Sequence, residues 1–154
     1  MSDLRERNKE HAREWMAHCW DGLDETEGTI DRLLDPASVG FLEGVVVRGA
    51  EDFRRFRDGY LYSFPGMNMQ VEELVAEGDW VVVRWRARGT QKKPLMNIPA
   101  SGREIDVIGS TWLRFSPDGK IVEGHDTWNQ GAVMAYLAGA PGAQGYLEGA
   151  RRRL

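Results

Sequence analysis

The chain has 154 residues, room for one domain with a core and an internal pocket. Its 20 basic and 24 acidic residues give a net charge of −4, which argues against nucleic acid as the main partner, and its single cysteine, Cys19, excludes an internal disulfide. The opening MSDLRERNKEH lacks the apolar centre of a signal peptide and no run approaches the ~20 apolar residues of a membrane span, so a cytoplasmic protein that neither crosses nor binds a membrane is expected.

In chain order, residues 3–21 predict a helix, with Trp15, Met16, Cys19 and Trp20 forming an apolar stripe. A second short helix is expected from Glu25 to Leu34, stopped by Asp35-Pro36. Residues 39–47 read as a short strand and loop around Gly44. Gly49-Ala50-Glu51-Asp52 opens a third helix, carried by Phe53, Phe56, Tyr60 and Leu61 and ended by Phe64-Pro65-Gly66. The period then changes to two. Strands are predicted at Met67–Ala76, Trp80–Gly89, Glu104–Phe115 and Ile121–Trp128. Glu77-Gly78-Asp79 and Pro117-Asp118-Gly119 supply tight reversals, and a longer connection runs from Thr90 to Gly102. A short helix follows at Gly131–Leu137, and residues 139–154 form a Gly/Ala-rich tail ending in three arginines. Helices first and strands after imply an α+β domain over residues 1–138, with helices on one face of a curved, mainly antiparallel sheet. The other face has no predicted helix to cover Trp85 and its neighbours, so a second subunit is expected there, in a homodimer or higher homo-oligomer.

Alternation in the last strand places Val122, Asp126 and Trp128 on one face, and Glu123, His125 and Thr127 on the other. A carboxylate among apolar neighbours resists ionising, so Asp126 is a candidate general acid/base near neutral pH. His125 is expected on the opposite surface. His11 and His18 lie on one helix with no further ligand at suitable spacing, so no metal site is expected. Six tryptophans, five phenylalanines, four tyrosines and six methionines are many for this length; a generous core accounts for most of them, and together they also suit a pocket for a flat apolar ligand. Trp15, Tyr60, Met67, Met69, Trp112 and Trp128 are candidates to line it. Ser110 shares a strand face with Trp112 and is a candidate hydrogen-bond donor. Arg84, Arg86 and Arg88 alternate along one strand face, a pattern of a solvated or subunit-facing surface, or of an Arg84 or Arg86 reaching the pocket to pair with Asp126 or a substrate oxygen.

Several segments carry a family resemblance in order. They are Gly49-x-Glu51-x-Phe53 with Phe64-Pro65, Val71-Glu72-x-Leu74-Val75-Ala76-Glu77-Gly78-Asp79, and Val83-Arg84-Trp85-x-Ala87-x-Gly89-Thr90. Ile98-Pro99-x-x-Gly102-Arg103 and Asp118-Gly119-Lys120-Ile121-Val122-Glu123 complete the set. Together, over residues 10–138, the chain resembles the SnoaL-like polyketide cyclases. The resemblance implies the cone-shaped α+β fold of nuclear transport factor 2, with a central pocket between helices and sheet. It also implies cofactor-free intramolecular aldol closure of a flat polyketide ester, with Asp126 at the position of the family's acid/base aspartate. The chain departs from the family at Gly66, where an aspartate is frequent, and at Gln91, where a histidine is. Counting back along the preceding strand without a gap puts Trp112 at the position of the cyclases' second pocket histidine. Related hydroxylation or epoxide and ring-opening chemistry in the same pocket, and a non-enzymatic ligand-binding role, are the alternatives.

Overall fold

A computed structural model describes residues 2–22 and 28–142. Helix α1 spans Ser2–Cys19, α2 Thr29–Leu33, α3 Gly49–Ser63 and α4 Gln130–Leu137. The strands are β1 (Leu34–Leu42), β2 (Val45–Arg48), β3 (Asn68–Glu77), β4 (Trp80–Thr90), β5 (Glu104–Phe115) and β6 (Ile121–Trp128). They form one sheet in the order β2-β1-β6-β5-β4-β3, antiparallel throughout except where β1 runs parallel to β6. The α+β class and the mainly antiparallel sheet are as the sequence predicts.

The helices are placed by their apolar faces. Trp15, Met16, Cys19 and Trp20 are buried, and α1 lies across β3 and β4. Phe53 and Tyr60 are buried on α3, which packs on β1 and β2. Trp15 and Trp20 meet Phe53 at ring-centroid distances of 4.8 and 6.1 Å, so aromatic packing ties the two helices together. On α4, Asn129 caps the first turn by accepting from the Ala132 amide at 3.0 Å.

The stretch from Leu34 to Arg48 differs most from expectation. Two strands stand where a helix end, a short strand and a loop were predicted, and residues 25–27 of the expected second helix lie outside the described residues. Pro36 ends helical structure and cannot donate to a ladder. A bulge between Leu34 and Val39 absorbs it, and pairing with β6 resumes at Val39–Glu123. Glu43 and Gly44 then reverse the chain, both at positive φ (46° and 86°), between the paired residues Leu42 and Val45. That is the backbone a two-residue hairpin demands, with glycine at its second position.

Burial fixes the two faces of the sheet. Val81, Val83, Trp85 and Ala87 of β4 and Ile105, Val107, Thr111, Leu113 and Phe115 of β5 point under the helices. Trp85 therefore faces inward, against the expectation that it lies on the uncovered side. The outer face carries Arg84, Arg86 and Arg88 instead, with Arg86 and Asp106 joined through both carboxylate oxygens at 2.6 Å. Trp80, Trp112, His125 and Phe41 form a chain of ring contacts on the same face, His125 stacking on Phe41 at 4.9 Å. Among the described residues, no helix is long and apolar enough to cross a membrane.

Candidate active site

Asp126 sits in the middle of the sheet, opposite Leu42 on β1 and Thr111 on β5. Two cavities meet at its carboxyl group. The first, about 600 Å³ counted out to its open mouth, is lined by Tyr60, Met67, Met69, Trp85, Trp128 and Met134 among others. The second, about 470 Å³ on the same measure, lies toward β1 and includes Trp15, Ser38, Gly40, Phe53 and Gly124 in its wall. Met16, Trp20, Thr111 and Asp126 border both.

A short polar chain holds the carboxylate. The Trp85 indole Nε1–H donates to Thr111 Oγ1 at 2.9 Å, and the Thr111 hydroxyl donates to Asp126 Oδ1 at 2.7 Å. Because the indole occupies the hydroxyl's acceptor side, the threonine proton is committed to the aspartate. Asp126 is raised from the ordinary carboxyl value to about 6. Burial is the main cause, opposed by the Thr111 hydrogen bond; the negative charge of Glu43 raises it further and His125 lowers it. Glu43 is itself placed by the β1–β2 turn, where its Oε1 accepts from the Trp128 amide at 2.9 Å.

Tyr60 supplies the second polar group of the first cavity. Its oxygen accepts from Gln130 Nε2 at 2.9 Å, which leaves its own O–H available to donate to a ligand. Burial pushes the phenol up, the Gln130 hydrogen bond lowers it, and Asp126 and Glu43 add to the rise, so the group stays protonated near neutral pH. Among the described residues, no group of three or more His, Cys, Asp or Glu side chains is arranged to hold a metal ion.

Of the side chains singled out from the sequence, Tyr60, Met67, Met69 and Trp128 line the first cavity with Asp126, and Trp15 lines the second. Ser110, Trp112 and Arg84 do not. Trp112 is 46% exposed beside Trp80 and His125, and Arg84 pairs with Glu73 at 3.2 Å, on the outer face. The reason for Ser110 and Trp112 is one extra residue. Phe115 pairs with Ile121, and carried on without interruption that register would set Ser110 against Asp126 and put both Ser110 and Trp112 on the pocket side. Val122 is bulged out, so Arg114 pairs with Glu123 and Thr111 with Asp126. A shift of one residue exchanges the two faces of a strand. It also makes Ile121, at 2% exposure, the core residue in place of Val122. Gln91, which stands where a histidine is frequent, is fully buried, and its side-chain oxygen accepts from the Ser101 amide and hydroxyl at 3.1 and 2.6 Å. It organises the loop after β4.

An open six-stranded sheet with helices over one face, enclosing an apolar site with one carboxyl group of raised pKa, defines a small-molecule-binding protein of the nuclear transport factor 2-like class. The family model for SnoaL-like polyketide cyclases matches residues 10–137, and the chain belongs to that family. Among solved structures, it is similar to a candidate SnoaL-like polyketide cyclase from Jannaschia sp. CCS1. That pair is 26% identical over 90% of this chain and 96% of the other, with a TM-score of 0.82. It is also similar to AclR, a candidate hydroxylase from Streptomyces galilaeus, at 26% identity, 89% and 99% coverage and a TM-score of 0.74. IdmH, a candidate polyketide cyclase from Streptomyces antibioticus, shares the fold at 24% identity, 86% and 99% coverage and a TM-score of 0.71. Among curated proteins, none matches the chain.

Proposed function

We propose that the protein is a cofactor-free polyketide cyclase that closes a ring by intramolecular aldol addition within a flat ester substrate. The observation that carries this reading is the placement of Asp126, a carboxyl group with a pKa of about 6 at the wall of an apolar cavity lined by aromatic and methionine side chains. Above that pH it is mainly a carboxylate and able to take a proton from the carbon beside an ester carbonyl. The electron pair left behind delocalises onto the carbonyl oxygen, where the Tyr60 O–H is suited to donate a hydrogen bond. The carbanion attacks a second carbonyl carbon, a C–C bond forms, and the new alkoxide takes the proton back from Asp126. Atoms and electrons balance without oxidant, reductant or metal. Trp85 and Thr111 keep the carboxylate in place throughout, and the flat walls hold the two reacting carbons close.

The decisive experiment is incubation with a linear or tricyclic polyketide methyl ester in the absence of oxygen and of any cofactor. A cyclised product of unchanged mass is the expected result. Product that forms only with oxygen and a reductant would instead favour hydroxylation, the reading that the similarity to AclR supports. Tyr60→Phe is expected to lower kcat about 10-fold to 100-fold and leave KM within about threefold, because the lost hydrogen bond strengthens only as charge develops on the oxygen. Steady-state kinetics on the same ester checks this.

The working form is proposed to be a homodimer joined through the outer face of the sheet. Phe41, Val46 and Trp112 are 42%, 51% and 46% exposed there, in a patch flanked by both arginines and carboxylates. Sedimentation at micromolar concentration is expected to give twice the monomer mass, and Trp112→Glu to return the monomer without loss of fold.

A further inference from the structure

Glu43 lines neither cavity, yet it bears on both polar groups of the site. It is the first residue of the two-residue turn between β1 and β2, at φ 46°. Left-handed backbone at that position favours asparagine, aspartate or glycine, and holding a glutamate there costs stability. Strain of this kind persists where the surroundings make use of the residue. Pairing of β1 with β6 ends at Leu42 and Asp126. Two residues further along β6, beyond the last of these pairs, the Trp128 amide donates to Glu43 Oε1 at 2.9 Å. The glutamate side chain thus continues the hold on β6 where the β1 backbone turns away. Asp126 and Trp128 point to the same face of that strand, and both border the first cavity.

Among the described residues, Asp126 and Tyr60 are the only titratable groups in the walls of the two cavities. The surroundings of Asp126 divide by element. From β5 comes the Thr111 hydroxyl, from α3 the Tyr60 phenol, and from β6 itself His125, whose ring stacks on Phe41 on the opposite face. To these walls α1, α4 and β1 present only uncharged side chains. The charge of Glu43 reaches the site from the turn outside the walls. Burial is the main reason that Asp126 and Tyr60 both hold their protons, and the negative charge of Glu43 adds to it in each.

We propose that Glu43 is a positioning residue of the site, which anchors the end of β6 behind Asp126 and sets a negative charge beside the proton that Asp126 transfers. This rests on the reading of Asp126 as the acid/base. The charge has two effects on the reaction. It makes the Asp126 carboxylate a stronger base toward the carbon acid. It also keeps the Tyr60 proton on the phenol oxygen, so that the group donates a hydrogen bond to the developing enolate without losing the proton to it.

Two variants separate the charge from the anchor. Glu43→Gln removes the charge and keeps an oxygen that can accept from the Trp128 amide. Glu43→Gly removes both, and leaves glycine where the backbone favours it, so the fold is kept. Carbon-13 NMR of the side-chain carboxyl groups, with Asp126→Asn to assign the signal, follows the ionisation of Asp126 without substrate. Its midpoint, about 6 in the wild type, is expected at lower pH in Glu43→Gln, because a carboxylate forms more readily once a neighbouring negative charge is gone. On the polyketide ester, that variant should keep a larger share of its plateau kcat/KM at pH 5 than the wild type does. The plateau itself should fall about threefold to tenfold as the base weakens. The anchor is read from hydrogen exchange of the Trp128 amide. Exchange should be about tenfold faster or more in Glu43→Gly, and near the wild-type rate in Glu43→Gln. An unchanged Asp126 midpoint in Glu43→Gln would overturn the role of the charge, and unchanged Trp128 exchange in Glu43→Gly would overturn the anchor. Both are measured without substrate, so a failed cyclisation assay counts against the reading of Asp126 and leaves these two results standing.

Discussion

Asp126→Asn is expected to cut turnover about a thousandfold while making the protein more stable above pH 6. The first effect follows from the proton-transfer role proposed for Asp126, a contribution of about 10²–10⁴ in acid–base catalysis. Asparagine has nearly the same shape and can still accept from Thr111, so substrate affinity should change little. In the wild type, kcat/KM should rise with pH through about 6 as the carboxyl group ionises, and that limb should vanish from the residual activity of the variant.

The second effect has a sign that can be worked out. In the unfolded chain Asp126 ionises near the ordinary 3.8, and in the folded protein near 6. Well below pH 3.8 both states hold the proton and the residue is neutral toward stability. Between 4 and 6 the unfolded state releases its proton first, so folding becomes progressively less favourable. Above 6 the full cost is present, about 3 kcal/mol for a shift of this size. Asparagine carries no such cost. Urea unfolding of both proteins at pH 4 and pH 8 should therefore show a variant only slightly more stable at pH 4 and much more stable at pH 8. Equal stability at both values would mean that the carboxyl group does not feel its apolar surroundings.

Gly109→Ala should be among the most damaging single substitutions in the sheet. Gly109 pairs directly with Trp85 across β4 and β5, and the indole lies over its backbone. A Cβ at Gly109 would fall 2.3, 2.5 and 2.8 Å from three atoms of the Trp85 ring, well inside contact distance. The ring cannot tilt away cheaply, because Trp85 is buried and its N–H is committed to Thr111. Overpacking of this kind costs about 3 kcal/mol, the upper part of the usual range. For a domain of this size that is a fall of about 10 °C in Tm. Activity should fall with it even at low temperature, since Trp85 holds Thr111 and Thr111 holds Asp126. Trp85→Leu removes the clashing ring, so alanine at 109 should cost far less in that background. A double-mutant cycle of thermal unfolding measures the difference.

The sequence carried the fold in places where period and burial agree. The apolar stripe of α1, the Phe53-Phe56-Tyr60 spacing of α3 and the alternation in β4 to β6 each point to one element with one buried side. The resemblance to the family followed from motifs in order, and Asp126 could be put on the pocket face from its neighbours alone. The failures have local causes. Pro36 within a strand reads as a stop, and only the bulge beside it shows that the strand continues. Trp112 reads as a pocket residue from an ungapped count against the family pattern, and Ser110 from sharing its strand face; the bulged Val122 leaves both on the side of the sheet away from Asp126. The signal that corrects it lies in β5 itself, where Ile105, Val107, Leu113 and Phe115 share the phase of Thr111 and Asp106 and Arg114 share that of Trp112. In β4 the three alternate arginines likewise place Trp85 inside. No sequence signal marks Glu43, since it is brought to the site by a turn and by a strand pairing distant in the chain.

That distant pairing has a kinetic meaning. Gly40 on β1 lies beside Gly124 on β6, so the sheet is completed only when segments separated by 124 − 40 = 84 residues come together. The strand inserted between the two halves, β6, is the last strand of the chain and the one that bears Asp126. Without it the β1–β2 hairpin and its helix have no edge to join, and the remaining three strands have no partner on that side. Contacts of such separation are made late in folding because the loop must close before they repay it. Docking of β6 thus completes the sheet and delivers the carboxylate in one event. A nascent chain on the ribosome would acquire the Asp126 carboxyl group and its finished core at the same moment.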